Sequence, residues 1–84
     1  MKGDLREGIK ALGRAVFELR DNLNWIALNE DDSIVVFAEK PRRCADGWDS
    51  DGVAEVLFWL PSRFDADGAW RDICFNRQQC GATE

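Results

Sequence analysis

The stretch NWIALNEDDSIVVFAEKP, residues 24–41, decides the fold, because two short apolar runs flank four polar residues, three of them acidic. The runs 25–28 and 34–39 are rich in Trp, Ile, Val and Phe, a composition typical of strands. Pro41 ends the second run, since proline has no amide hydrogen to give to a strand ladder. The stretch therefore predicts an antiparallel hairpin over about residues 25–39.

The length of the hairpin loop is left open by the sequence, and it sets which side chains share a face. A three-residue loop of Glu30, Asp31 and Asp32 requires a left-handed backbone at Asp32, where glycine is the usual residue. That loop groups Ile26, Leu28, Ile34 and Val36 on one face. A four-residue loop groups Ile26, Leu28, Val35 and Phe37 instead.

The segment before the hairpin has the period of an amphipathic helix, predicted over about residues 4–22. Its apolar residues are spaced by alternate steps of four and three, which keeps them on one side of a 3.6-residue helix. The residues of this seam are Leu5, Ile9, Leu12, Val16, Leu19 and Leu23. The same pattern places Phe17 among polar residues, outside the seam.

The segments after the hairpin predict the rest of a small sheet. Residues 42–52 have the composition of a loop, and the run VAEVLFWL at 53–60 predicts a third strand that ends at Pro61. Because both faces of that strand are apolar, it is expected to be central in the sheet, with the helix on one face and residues 61–69, a second protomer or a target protein on the other. Residues 69–75 predict a short strand or a short helix, and residues 76–84 form a polar tail. The fold class is thus α+β, a single domain over 1–84, with the N-terminal amphipathic helix packed on a three- to four-stranded antiparallel sheet.

The charge distribution favours some partners over others. The 84-residue chain has a net charge of −5, and residues 30–72 hold eleven acidic and five basic residues, a local charge of −6. An acidic surface repels nucleic acid and anionic membranes and attracts basic protein surfaces. No run has the 18 or more apolar residues of a membrane span. We therefore expect a cytoplasmic protein that binds neither nucleic acid nor membrane directly.

Residues that commonly carry catalysis or bind metal are scarce. The chain has no histidine and no tyrosine, and Cys44, Cys74 and Cys80 form no Cys-x-x-Cys pair. These thiols are interpreted as reduced and structural. The Asp-x-Asp-Gly stretches at 49–52 and 65–68 lack the ligands of an EF-hand loop and are interpreted as turns. The sequence predicts no enzymatic activity, no cofactor and no metal site.

The strongest candidates for partner contact are acidic residues in turns, together with one tryptophan in a polar loop. Aromatic residues dominate binding hot spots, and carboxylates complement a basic partner. The predicted contact residues are Glu30, Asp31, Asp32, Trp48, Asp49, Asp51, Asp65 and Asp67. For Trp48 the alternative is a structural one, in which the loop folds back and the ring covers the sheet.

The hairpin sequence WIALNEDDSIVVFAEKP, residues 25–41, resembles a hairpin found in many short proteins of tailed bacteriophages. Their typical form is a Trp-Ile-Ala strand, an acidic turn ending in glycine, and a strand leading to Glu-x-Pro or Glu-Lys-Pro. The resemblance covers 17 of the 84 residues, and this chain has Asp32 where the phage proteins have glycine. It implies a small acidic phage accessory protein, and where such proteins are understood they often disable host machinery, CRISPR complexes included, by stoichiometric binding.

Charge and resemblance together predict a non-enzymatic phage or prophage protein of the anti-CRISPR type. It would bind a basic surface of a host nucleic-acid-handling complex in the host cytoplasm and inhibit that complex. The alternative is a homodimeric structural or assembly protein of a phage with no inhibitory role. The sequence leaves open whether the chain is a monomer or a homodimer.

Overall fold

The computed structural model describes residues 4–60 and 69–81, which form one helix and a four-stranded antiparallel sheet with a second, two-stranded sheet. The elements in chain order are α1 Asp4–Leu19, β1 Trp25–Leu28, β2 Ser33–Phe37, β3 Arg42–Arg43, β4 Trp48–Asp49, β5 Ala54–Trp59, a 3₁₀ helix Ala69–Asp72 and β6 Cys74–Asn76. The order of strands in the main sheet is β5-β2-β1-β6. The α+β class predicted from the sequence is confirmed.

The hairpin β1–β2 forms the centre of the sheet, and its register is that of the three-residue loop. Trp25 lies opposite Phe37 and Leu28 opposite Ile34. The core beneath α1 accordingly contains the face predicted for that loop, Ile26, Leu28, Ile34 and Val36. Both strands are buried on both faces, apart from the half-buried Trp25.

Helix α1 packs on the sheet through a face slightly rotated from the predicted seam. Ile9 and Phe17 are buried in the core, with Phe17 only 1% exposed, whereas Leu19 is 83% exposed. The prediction was therefore wrong for Leu19, whereas Phe17, which lies outside the predicted seam, packs in the core. Gly13 lies at the centre of the buried face, since a Cβ there would come within 2.9 Å of Cγ2 of Ile26. The helix also ends at Leu19, before the predicted position 22.

Strand β5 forms as predicted near residues 53–60, but it is an edge strand and not a central one. It pairs with β2 on one side, and no strand in residues 4–60 or 69–81 pairs with its other side. The prediction took the apolar character of both faces as the mark of a central strand. Here several of its apolar side chains are exposed instead.

The predicted loop at 42–52 contains the small second sheet, in which Arg43 pairs with Trp48 across a tight turn. Trp48 packs against both sides of the core, including the buried residues Ala27, Val35 and Phe37 on the sheet face that points away from α1. The second sheet face is thus covered by this loop over β1 and β2.

Residues 69–75 combine the two predicted alternatives, a 3₁₀ turn followed by a short strand. Strand β6 pairs with β1 and forms the other edge of the sheet. The start of the predicted polar tail is tied to the body, because the Arg77 guanidinium donates to Oδ1 of Asn24 at 2.8 Å and to the carbonyl of Arg20 at 2.7 Å. Cys80 in this segment is buried.

Candidate functional site

The tip of the β1–β2 hairpin is a three-residue loop with a left-handed residue. The amide of Asn29 donates to the carbonyl of Ser33 at 2.9 Å, and that of Asp32 donates to the carbonyl of Asn29 at 3.0 Å. Asp32 has φ = 69°, the left-handed conformation expected at this loop position. One oxygen of its carboxylate, Oδ1, is buried without a hydrogen-bond partner in the described part of the chain. Asp32 is therefore a strained turn residue.

We expect Asp32→Gly to raise the free energy of unfolding by about 0.5–1 kcal/mol, because glycine adopts positive φ without the steric cost of a Cβ. The substitution also removes the buried, unpaired oxygen. Urea denaturation monitored by circular dichroism measures the change. Asp32→Ala is the matched control, since it removes the carboxylate but keeps the Cβ, and it should give no comparable gain. A denaturation midpoint for Asp32→Gly that stays constant or falls contradicts the assignment.

Asp31 holds the tip together. Its Oδ1 accepts hydrogen bonds from the Ser33 hydroxyl at 2.6 Å and from the Ser33 amide at 3.0 Å. These bonds, above all that of the hydroxyl, lower the pKa of the Asp31 carboxyl. Because the pKa is lowered in the folded protein, the bonds stabilise the fold at pH values above the ordinary pKa of an aspartate. This stabilisation is lost as the pH falls through the pKa of the folded state. Asp31 thus has a structural role as well as a charge.

The two-stranded sheet brings a further carboxylate to this tip. The amide of Glu30 donates to the carbonyl of Asp46 at 3.3 Å. The contact is fixed by Asn29, whose side chain accepts from the Trp48 amide at 2.8 Å and donates to the Ser33 hydroxyl at 3.1 Å. We call Glu30, Asp31 and Asp46 the acidic corner.

Beside the acidic corner, strand β5 carries exposed apolar side chains on both of its faces, with Val56 and Trp59 on the face away from α1 and Phe58 on the other. Trp59 is 60% exposed and Val56 49% exposed, and Val53 and Phe58 are also exposed. Trp59 lies opposite Ser33 in the register, and a side-chain hydrogen bond from Trp59 contributes to the lowered pKa of Asp31. We call Val53, Val56, Phe58 and Trp59 the apolar edge. It meets the acidic corner at Trp59.

Several cations of the protein lie over aromatic rings, and none of these cations pairs with the acidic corner in the described residues. The charged groups of Lys10, Lys40, Arg71 and Arg77 lie 4.9–5.8 Å from the ring centres of Phe75, Trp25, Trp70 and Phe17, respectively. The salt bridges of the described residues involve Glu7, Glu18, Asp51 and Glu55. No residue of the acidic corner takes part in one there. Its charge is therefore available to a partner.

The structure separates the residues predicted as contacts into groups. Glu30, Asp31 and Asp32 share the tip, whereas Asp49 lies opposite Arg42 and Asp51 forms a salt bridge to Arg42 at 3.1 Å. Asp65 and Asp67 lie outside the described residues.

Trp48 adopts the structural alternative considered for it. The ring is half-buried and covers the sheet, and its indole N–H donates to the carbonyl of Trp70 at 3.1 Å. Its contact with a partner stays a prediction.

Sequence reasoning missed two members of the site, Asp46 and Trp59. The apolar character of both faces of 53–60 was a signal for Trp59, although it was interpreted as burial. Asp46 gave no signal, because only the tertiary contact of the second sheet brings it to the hairpin tip.

Two of the three thiols, Cys74 and Cys80, are not activated as nucleophiles. Burial raises the pKa of Cys74 and of Cys80 to about 11, so both thiols are protonated at neutral pH. Cys44 is exposed. Within residues 4–60 and 69–81, no three Cys, Asp or Glu side chains are placed to share a metal ion.

None of the helices in the described segments is both long and apolar enough to pass through a membrane. Comparison of the chain with protein-family models, with curated proteins and with solved structures returned no match. The acidic corner and the apolar edge are therefore the features of the structure that bear on function.

Proposed function

We propose that the protein is a non-enzymatic binding protein that engages a basic surface of another protein through the apolar edge and the acidic corner. The observation that carries the proposal is their adjacency at Trp59, where exposed apolar side chains meet carboxylates without salt bridges. Contiguous exposed apolar surface with a polar rim is typical of protein-binding sites. A tryptophan at the centre of such a surface is a common hot spot.

The two parts of the surface have different physical roles. Burial of the exposed parts of Val56 and Trp59, which share one sheet face, would supply most of the binding free energy, since apolar area removed from water is the main favourable contribution. The acidic corner would steer a basic partner and select against acidic ones. Because rim charges are screened, binding should weaken as salt rises.

The biological role that we propose is inhibition of a host nucleic-acid-handling complex in the host cytoplasm by a phage or prophage protein, as in anti-CRISPR proteins. Two features support it: the resemblance of residues 25–41 to hairpins of tailed-phage proteins, and the net charge of −5. Complexes that bind nucleic acid expose basic grooves for phosphates, and an acidic protein can occupy such a groove.

A homodimeric assembly role is the second candidate, and the exposed edge strand favours it. An unpaired strand edge can pair with the same edge of another copy. Light scattering distinguishes the two candidates, because the first predicts a monomer in the absence of its partner and the second a stable dimer.

The proposed binding is tested by affinity capture from a lysate of a CRISPR-bearing bacterium, with mass spectrometry. We expect the wild-type chain to retain a nucleic-acid-handling complex at low salt. Trp59→Ala should reduce the affinity for that complex by at least about tenfold, since loss of a hot-spot residue costs more than 1 kcal/mol. Glu30→Gln combined with Asp46→Asn should also reduce it, and this pair spares the structural bonds of Asp31.

The matched control for charge is Asp21→Asn combined with Glu39→Gln, which changes the net charge equally at exposed sites at the end of the hairpin opposite the tip. It should leave capture unchanged. All variants are checked for folding by thermal denaturation. Equal capture by the wild type, the Trp59 variant and the acidic-corner variant would show that this surface is not the binding site.

A further inference from the structure

The hydrogen bonds at the two ends of β5 show which backbone groups point away from the sheet. At one end the amide of Leu60 donates to the carbonyl of Asp32 at 2.8 Å, and at the other the amide of Ala38 donates to the carbonyl of Val53 at 3.0 Å. Successive residues of an antiparallel strand direct their amides and carbonyls alternately to opposite edges. Trp59 and Ala54 therefore direct theirs outward, away from β2.

A bulge inside β5 keeps the outward residues on one face. The register passes from Ile34 opposite Phe58 to Val35 opposite Val56, which leaves Leu57 as the extra residue. Counting from Ala54, the next outward residue before the bulge is Val56. The outward residues Ala54, Val56 and Trp59 lie opposite Phe37, Val35 and Ser33, so their side chains share the sheet face away from α1. All three are exposed.

We infer that the outer edge of β5 is a site of strand addition for an extended, basic segment of the partner protein. The inference deepens the proposed function and rests on it. An added strand would bond to the amides and carbonyls of Ala54, Val56 and Trp59 and place apolar side chains beside them. Its basic residues would reach the acidic corner, which lies at the Trp59 end.

Two occupants could pair with this edge, a second copy of the chain or a basic segment of a partner protein, and their charge distinguishes them. A second copy of the chain carries the same net charge of −5 and would bring further acid to the edge. A basic segment instead complements Glu30, Asp31 and Asp46, none of which has a salt bridge in the described residues. Complementary charge favours the basic segment as the occupant.

Two features keep the edge selective. Glu55, in the middle of β5, forms a salt bridge to Arg20 at 2.9 Å, and the bulge at Leu57 interrupts the regular ladder. Charged residues and bulges are the means by which edge strands avoid indiscriminate pairing. The site thus accepts a short segment that follows the bulge, and a long flat strand would fit it poorly.

The experiment measures amide hydrogen exchange by NMR, with and without a capped six-residue peptide of alternating lysine and valine. In the free protein the amides of Ala54, Val56 and Trp59 should exchange fast, whereas those of the central strands should exchange slowly. At saturating peptide the three edge amides should slow by about tenfold or more. The same peptide with glutamate for lysine, and the lysine peptide N-methylated at every residue, should have no effect.

Ala54→Pro provides a matched variant on the protein. Proline is tolerated at the first residue of an edge strand, and it deletes one outward donor without removing a bond to β2. Peptide affinity should fall by about fivefold to tenfold, the effect of one hydrogen bond. Glu55→Pro, which deletes an inward donor, should instead destabilise the fold.

Three results would overturn the inference: no protection by the lysine peptide, equal protection by the glutamate peptide, or protection in the free protein. Protection that grows with protein concentration would identify a second copy as the occupant, and protection in dilute monomer would mean that the chain itself fills the edge. Failure of the inference is distinct from failure of the proposed function. If capture depends on Trp59 and the acidic corner but the peptide does not protect the edge, the binding surface stands and strand addition is wrong.

Discussion

Replacing Phe17 by alanine is expected to lower the free energy of unfolding by about 3–5 kcal/mol, the cost of deleting a buried aromatic side chain and leaving a cavity. The ring is 1% exposed in the core beneath α1, and the guanidinium of Arg77 lies 5.3 Å from its centre. An 84-residue domain is stable by only about 4–13 kcal/mol, at about 0.05–0.15 kcal/mol per residue. The substitution should therefore remove about a quarter or more of the stability of the domain and lower its denaturation midpoint accordingly.

The matched control is Leu19→Ala, two residues further along the same helix. Leu19 is 83% exposed, so its truncation should change the free energy of unfolding by less than about 0.5 kcal/mol. Urea denaturation, monitored by tryptophan fluorescence and circular dichroism, compares the two variants with the wild type. Similar costs for both substitutions would place Leu19 in the core and would contradict the orientation of α1.

Phe17 and Leu19 also show why the buried face of the helix was predicted incorrectly. The helical period was read from apolar side chains alone, and these placed the centre of the buried face near Leu12, Val16 and Leu19. The true centre is Gly13, which has no side chain to contribute to that period and whose Cα approaches the sheet closely. A close approach depends on the partner surface, which a helical period does not contain.

The hairpin was predictable because its determinants are local. Alternation of apolar residues, the acidic loop and Pro41 all act within 18 residues, and the positive φ of Asp32 agrees with the three-residue loop. The position of β5 in the sheet was not predictable in this way. Its neighbours are set by contacts across the chain, and an apolar strand can be either central or an exposed edge made for a partner.

The candidate site likewise has a part that local sequence predicts and a part that depends on tertiary contacts. The acid of the hairpin tip is visible in the sequence, since a turn needs only one such residue and this one has three. Its connection to Asp46 and Trp59 is tertiary, through the Glu30 amide and the β2–β5 register. A second sheet of two-residue strands is too short to predict from composition, so the residue that fixes it, Asn29, was also missed.

Replacing Asn29 by alanine is expected to lower the free energy of unfolding by about 2–3 kcal/mol. Two hydrogen bonds are lost, and the half-buried backbone amide of Trp48 is left without its acceptor. The side chain joins the hairpin to the second sheet through Ser33 at 3.1 Å and Trp48 at 2.8 Å. Denaturation gives the cost, and faster exchange of the Trp48 indole N–H reports release of the second sheet. The exposed Asn22, replaced by alanine, is the control and should have little effect.

A double-mutant cycle with Gly47 separates this role from a general loss of stability. A Cβ at Gly47 would lie 2.5 Å from Oδ1 of Asn29, so Gly47→Ala alone should cost about 1–3 kcal/mol through overpacking. In the Asn29→Ala background that oxygen is gone, and the cost of Gly47→Ala should fall below about 0.5 kcal/mol. Such coupling is the signature of direct contact, whereas additive costs would mean that the two residues do not meet. Because Asn29 also positions Asp46 beside Glu30, Asn29→Ala should weaken partner capture at temperatures where the variant is still folded.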